Sequence, residues 1–167
     1  MWDRSSNPIP SSAPGAPADT SAPDNERVTV NSRFGTVEIG PENRVYMPVG
    51  LLGFSDSHHF GLVGLPQPAS VRFKLLQSID DPELGFIVLP LTVEDGHVAP
   101  EDLEDAALSV GIAPETAAFL LIVTVRMTEN GAKITANLRA PIVVDPMRSI
   151  ARQVVMANSN YAIQFPL

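Results

Sequence analysis

This 167-residue sequence predicts a mainly β domain: a small closed or partly open antiparallel barrel-like sheet with one or two short helices. Three observations predict it. Short apolar or alternating runs recur along the chain with turn residues between them, the rhythm of a sandwich or barrel. Asn130-Gly131 separates two of the longer runs, and both residues tolerate the positive φ of a tight hairpin. Only the stretch from Pro100 to Gly111 carries a full set of helix signals.

Residues 1–26 are rich in Pro, Ser and Ala with almost no aliphatic bulk, so they cannot offset the entropy of ordering. A disordered tail is expected there, with Trp2 either inert or a short docking element, followed by one folded domain over residues 27–167. Strands are expected at 28–30, 36–39, 45–47 and 60–63. Gly50 and Gly53 shape a turn; they lack the third glycine and the strand-to-helix setting of a dinucleotide loop. Val71, Phe73 and Leu75 alternate with Arg72 and Lys74, the period of a half-buried strand with the apolar positions inward. Asp80-Asp81-Pro82 then breaks the pattern. Pro82 holds Asp81 extended and Asp side chains bond nearby amides, which gives an acidic turn exposed to water. Residues 86–89 restart a strand, apolar on both faces.

In the expected helix Pro100 suits the first turn, and Glu101 and Asp102 complement the dipole. Leu103, Ala107 and Val110 share a face, and Gly111 terminates it. Strands at 119–127 and 133–138 flank the Asn-Gly hairpin. In the second of these Ile134, Ala136 and Leu138 point inward, leaving Thr135, Asn137 and Arg139 on the opposite face. Pro141 ends that pairing and 142–144 form another strand. Residues 147–156 read equally as a helix, from the spacing of Met147, Ile150 and Val154, or as a strand, from Val154-Val155. A last strand is expected at 161–165.

Eleven Lys and Arg against nineteen Asp and Glu give a formal charge of −8, which repels phosphate backbones and suits a basic partner. Direct nucleic-acid binding is not expected. With no cysteine, disulfides, thiolate metal sites and thiol nucleophiles are excluded, and the cytoplasm is the default compartment. No apolar run approaches the ~20 residues that span a bilayer, and the start of the sequence lacks a charged-then-apolar export pattern. The expectation is a soluble protein with no membrane attachment.

A search for catalytic groupings returns little. His58 and His59 are adjacent, so on a strand they face opposite ways and do not easily share a metal. His97 stands alone in a polar loop, and neither a His-Glu-x-x-His nor a Gly-x-Ser-x-Gly pattern occurs. The carboxylate groups Asp80/Asp81, Glu94/Asp95 and Asp102/Glu104/Asp105 match no calcium-loop spacing and read as solvated faces. No enzymatic activity, cofactor or metal is expected. What remains are polar groups set among large apolar ones near the end of the chain, Gln153, Asn158, Asn160 and Tyr161, a mixture that specific interfaces use. Asn side chains stitching a loop to its own backbone would give the same pattern.

Four blocks carry a resemblance: VYMPVGLLGF at 45–54, LQSIDDPELGFIVLP at 76–90, TANLRAPIVVD at 135–145 and QVVMANSNYAIQFPL at 153–167. In that order they resemble the corresponding blocks of the flagellar assembly factor FliW family. Met47 stands where that family usually has an aromatic residue, and residues 91–95 replace a segment that is often aromatic. The resemblance implies a small non-enzymatic β protein of the cytoplasm that binds flagellin monomers. Alternately it binds CsrA, a dimeric RNA-binding translational repressor, so that flagellin synthesis follows export. Asp80 and Asp81 are the expected contacts for a basic CsrA surface, with Asn137, Arg139 and Tyr161 as further candidates and turn or fold maintenance as the competing reading. A scaffolding protein of the same fold without CsrA antagonism is the alternative function. The oligomeric state is open, with a monomer favoured.

Overall fold

A computed structural model describes residues 26–66 and 71–167; the expected tail and its Trp2 lie, but for Glu26, outside the described residues. Strands β1 (Val28–Ser32) and β2 (Gly35–Ile39) form a separate antiparallel hairpin. The other strands are β3 (Arg44–Tyr46), β4 (His59–Gly64), β5 (Lys74–Ser78), β6 (Gly85–Leu91), β7 (Ala118–Thr128), β8 (Gly131–Ala136), β9 (Ile142–Asp145), β10 (Ile150–Gln153) and β11 (Phe165–Pro166). They make one sheet in the order β11-β8-β7-β6-β5-β4-β3-β10-β9, and β7 also pairs with β9, so the sheet closes on itself as a ring. All pairings in it are antiparallel except the single contact of β10 with β3 at Ile150 and Tyr46.

β7 makes this closure possible because it is long. Its residues 118–120 pair with β9, 119–123 with β6, and 123–128 with β8 across the Asn-Gly turn. The hairpin expected at Asn130-Gly131 is present, with Gly131 at φ 111°.

The ring interior is filled by side chains from all seven of its strands, among them Val45, Phe60, Leu76, Val88, Leu120, Ile142 and Ala151. Leu89, Leu121 and Val143 point the other way, into a second core beneath α1 (Pro100–Ser109). Residues 86–89 are therefore apolar on both faces because each face is covered, one by the ring interior and one by the helix. The helix buries Leu103, Ala106 and Ala107, and Gly111 at φ 73° follows it as predicted. Each such Leu contributes roughly 2 kcal/mol of apolar burial. The β1–β2 hairpin covers a third cluster with Val30, Val37 and Ile39 against Leu75. It lies close: a Cβ on Gly61 would sit 2.5 Å from Ile39, so only glycine fits there. Gly50 and Gly53, at φ 65° and 85°, form the turn expected of them.

Three expectations need correction, and the reading left open at 147–156 is settled. Strand β5 starts only at Lys74, and Val71 is 93% exposed, so the inward alternation of 71, 73 and 75 fails at its first member. From Leu75 onward both faces are buried, because the first hairpin covers the outer one. Thr135 is buried rather than exposed, since β11 pairs with the end of β8. Residues 147–156 contain a turn and then strand β10, not a helix. The Asp145 Oδ1 accepts the N–H groups of Met147 and Arg148, and Ser149 takes φ 53°, a left-handed geometry that no helix continues. The final strand is reduced to Phe165–Pro166, because Tyr161 is drawn away from the sheet to α1. Among the described residues no helix is long and apolar enough to cross a membrane.

Candidate partner-binding surface

The acidic turn joins β5 to β6, and its shape comes from a buried amide. Gln77 is fully buried, and its Nε2 lies 3.0 to 3.4 Å from the carbonyl oxygens of Ser78, Asp81, Pro82 and Leu84, among which it shares its two hydrogens. The Ser78 hydroxyl accepts the Asp81 N–H at 3.0 Å, and the Leu84 N–H donates to the Asp81 carbonyl at 3.0 Å. Four carbonyls of the turn are gathered onto one side chain, two of them, Asp81 and Leu84, also accepting backbone N–H groups. Gly85 allows this, since a Cβ there would sit 2.7 Å from the Gln77 Oε1.

The two aspartates play different parts. Asp80 Oδ2 accepts the backbone N–H groups of His58 at 3.1 Å and His59 at 3.0 Å, and the His59 Nδ1 lies 3.2 Å from Oδ1. Partial burial acts to raise the Asp80 pKa, but the His59 and His58 amides and the His59 ring together outweigh it and hold the carboxyl below its ordinary value. Asp80 is thus a brace between the turn and the start of β4. Asp81 is exposed and accepts only the Glu83 N–H, at 2.9 Å, through one oxygen. Glu83 is also exposed, and its carboxylate has no hydrogen-bond or ion-pair partner among the described residues. The turn therefore presents Asp81 and Glu83 outward on a framework fixed from within.

The two histidines diverge as expected for neighbours at a strand start. His58 Nδ1 lies 2.9 Å from the Met47 carbonyl and so carries the ring proton, whereas His59 turns to Asp80. Tyr46 tilts against both rings at centroid distances of 6.2 and 5.4 Å. Beside Asp80 lies an open cavity of about 690 Å³ lined by Tyr46, His59, Arg44 and Arg148 among others. No group of three or more His, Asp or Glu among the described residues could hold a metal ion.

The other three candidates lie elsewhere and share no contact with the turn. Asn137 Oδ1 accepts the N–H groups of Arg139 and Ala140 at 3.0 and 3.2 Å, an Asx turn that ends β8. Arg139 donates through Nη1 to the Ser159 carbonyl at 3.2 Å. The Tyr161 hydroxyl accepts the Ala99 N–H at 3.0 Å and donates to Asp102 Oδ2 at 2.5 Å, fastening the C-terminal segment to the start of α1. Desolvation first, and then the bond to Asp102, push the Tyr161 pKa up. Sequence reasoning missed Gln77, Glu83 and the bracing His59. A glutamine in an apolar strand was the available signal for the first, because a buried amide demands partners.

A family profile described as FliW protein matches residues 28–167. The flagellar assembly factor FliW of Syntrophus aciditrophicus (strain SB) is 34% identical over 137 residues, covering 81% of this chain and 84% of that protein. That of Syntrophotalea carbinolica is 35% identical over 141 residues, covering 83% and 96%. A solved structure, titled as the crystal structure of the flagellar assembly factor FliW, superposes with a TM-score of 0.63 at 26% identity, covering 84% of this chain and 96% of that one. With the profile spanning nearly every described residue and relatives at 34% and 35% identity over most of its length, this chain belongs to the FliW family.

Proposed function

We propose that this chain is a flagellar assembly factor that binds flagellin monomers and, alternately, a CsrA-type translational repressor, antagonising the repressor and so matching flagellin translation to export. The observation that carries the reading is the acidic turn, displayed by a buried glutamine on a FliW-family fold in a chain of net charge −8. A preformed acidic projection suits a basic protein surface, because complementary charge steers encounter and the backbone of the turn need not be ordered at binding. Asp80 and Asp81 are the proposed contacts, with Glu83 beside them; in this reading Asp80 acts partly by bracing the turn. Asn137, Arg139 and Tyr161 are supporting candidates whose polar groups are largely engaged within the fold. The protein acts without catalysis, in the cytoplasm, where both partners are made. Flagellin emerging from the ribosome would compete for it and return the repressor to its mRNA.

The test is retention of purified flagellin and CsrA from the same organism on the immobilised chain at moderate salt. Retention of each alone, with displacement of one by the other, is the expected result. If neither is held, the functional part of the reading fails.

A further inference from the structure

Residues 93–115 contain seven Asp and Glu and no Lys or Arg, so this stretch holds −7 of the chain's formal −8. Two of these acids, Glu104 and Glu115, line a groove of about 440 Å³ together with Val93, Leu103, Phe119 and two prolines, Pro100 and Pro114. Val93 is 52% exposed and sits on a turn whose backbone is fixed. Thr92 and Asp95 form a reciprocal capping box around it, and Gly96 closes the turn at φ 67°. Glu104 and Glu115 are exposed, and neither carboxylate has a hydrogen bond or ion pair among the described residues. The basic groups that act on this region, His97 and Arg72, are felt at Asp95.

The acids of α1 and of the segment after it have two different explanations. Glu101 and Asp102 sit in its first turn, where they complement the helix dipole, and Asp102 also holds Tyr161 and Asn158. Glu104 and Glu115 have no such reason. Among the described residues neither carboxylate has an ion-pair partner, and like charges around one opening repel unless a cation arrives.

We infer that this groove docks a short segment of a protein partner in which large apolar side chains are flanked by Lys or Arg. Val93, Leu103 and Phe119 receive the apolar anchor, and the groove's volume lies in the range of pockets that enclose a small ligand. Glu104 and Glu115 select the flanks: an acidic segment is repelled and a neutral one gains nothing from them. The site is separate from the acidic turn. Strand β6 runs from Gly85 at the turn to Leu91 just before Val93, a span of about 20 Å at the usual strand rise. A segment in the groove therefore leaves the turn open. This inference stands apart from the flagellar partners proposed above and survives their failure.

The probe is the peptide acetyl-Lys-Lys-Leu-Phe-Lys-Lys-amide, with anisotropy of a labelled copy read against the full chain at low and moderate salt. One-to-one binding is expected, weakened at least ~10-fold by Glu104→Lys with Glu115→Lys and less than ~2-fold by Asp81→Lys with Glu83→Lys. A second peptide with Ser-Ser in place of Leu-Phe is expected to bind at least ~5-fold more weakly, because it loses the apolar anchor. Equal loss in both charge-reversed variants would mean attraction to net charge alone and overturns the site. So does equal affinity for the two peptides, or no binding of the first. Should the Glu104/Glu115 variant not fold, amide NMR of the unmodified chain decides: shifts gathered on Val93, Leu103 and Phe119 support the groove, and shifts gathered on residues 79–84 overturn it.

Discussion

The β5–β6 turn and the α1 groove are both acidic, yet their carboxylates do different work. At the turn the chain uses its acids on itself. Asp80 holds two histidine amides, one Asp81 oxygen holds the Glu83 amide, and only the remainder faces outward. At the groove Glu104 and Glu115 hold nothing, while the neighbouring Asp95 and Asp102 serve the fold. A count of negative charge cannot separate the two cases; the hydrogen-bond partners can. Substitutions at the turn should therefore divide into those that damage its framework and those that alter only its face.

The largest effect is expected at Gln77. Replacing it with Ala strips four carbonyls of their shared donor and leaves a cavity in a closed site, so a loss of about 3 kcal/mol is expected in urea unfolding. Tyr161→Phe comes next. It removes the hydroxyl that joins Ala99 to Asp102 and should cost about 1 kcal/mol while leaving the turn unaltered. Equal losses at Gln77 and Tyr161 would mean the turn is no more tightly organised than the C-terminal fastening.

Asp80→Asn should show a smaller and pH-dependent effect. The Asp80 pKa is lowered in the folded chain, so its contribution is present above the ordinary carboxylate pKa of about 4 and is lost as pH falls through the folded value. The variant should be less stable than the parent near neutral pH by about 0.5 kcal/mol, a figure kept small because the side chain is 39% exposed, and the two should converge once pH falls below the folded value. A gap that widens on acidification contradicts the brace. Smallest of all, Glu83→Lys should change stability by less than about 0.5 kcal/mol, because its carboxylate has no hydrogen bond or ion pair among the described residues.

This ordering also shows what was legible in the sequence. The acidic turn was readable because Pro82 and paired aspartates act locally, and the Asn-Gly hairpin and α1 were readable for the same reason. The same local logic held Asp80 and Asp81 to be a solvated pair, whereas Asp80 is engaged by amides more than twenty residues earlier. Thr135 and Val71 misled because their burial depends on which strand covers them: β11 covers one and nothing covers the other. The undecided stretch at 147–156 was settled by Asp145 and Ser149, whose turn places β10 beside β9 and β3. The groove was invisible as a site, since Val93, Leu103 and Phe119 meet only when the strand, the helix and β7 are assembled.

Whether the turn is a preformed face for a basic partner is decided by calorimetric titration of CsrA into the chain and into its Asp81→Lys/Glu83→Lys variant. The account predicts an affinity loss of more than ~10-fold with a thermal midpoint within about 2 °C of the parent. An unchanged affinity in a normally folded variant would contradict it.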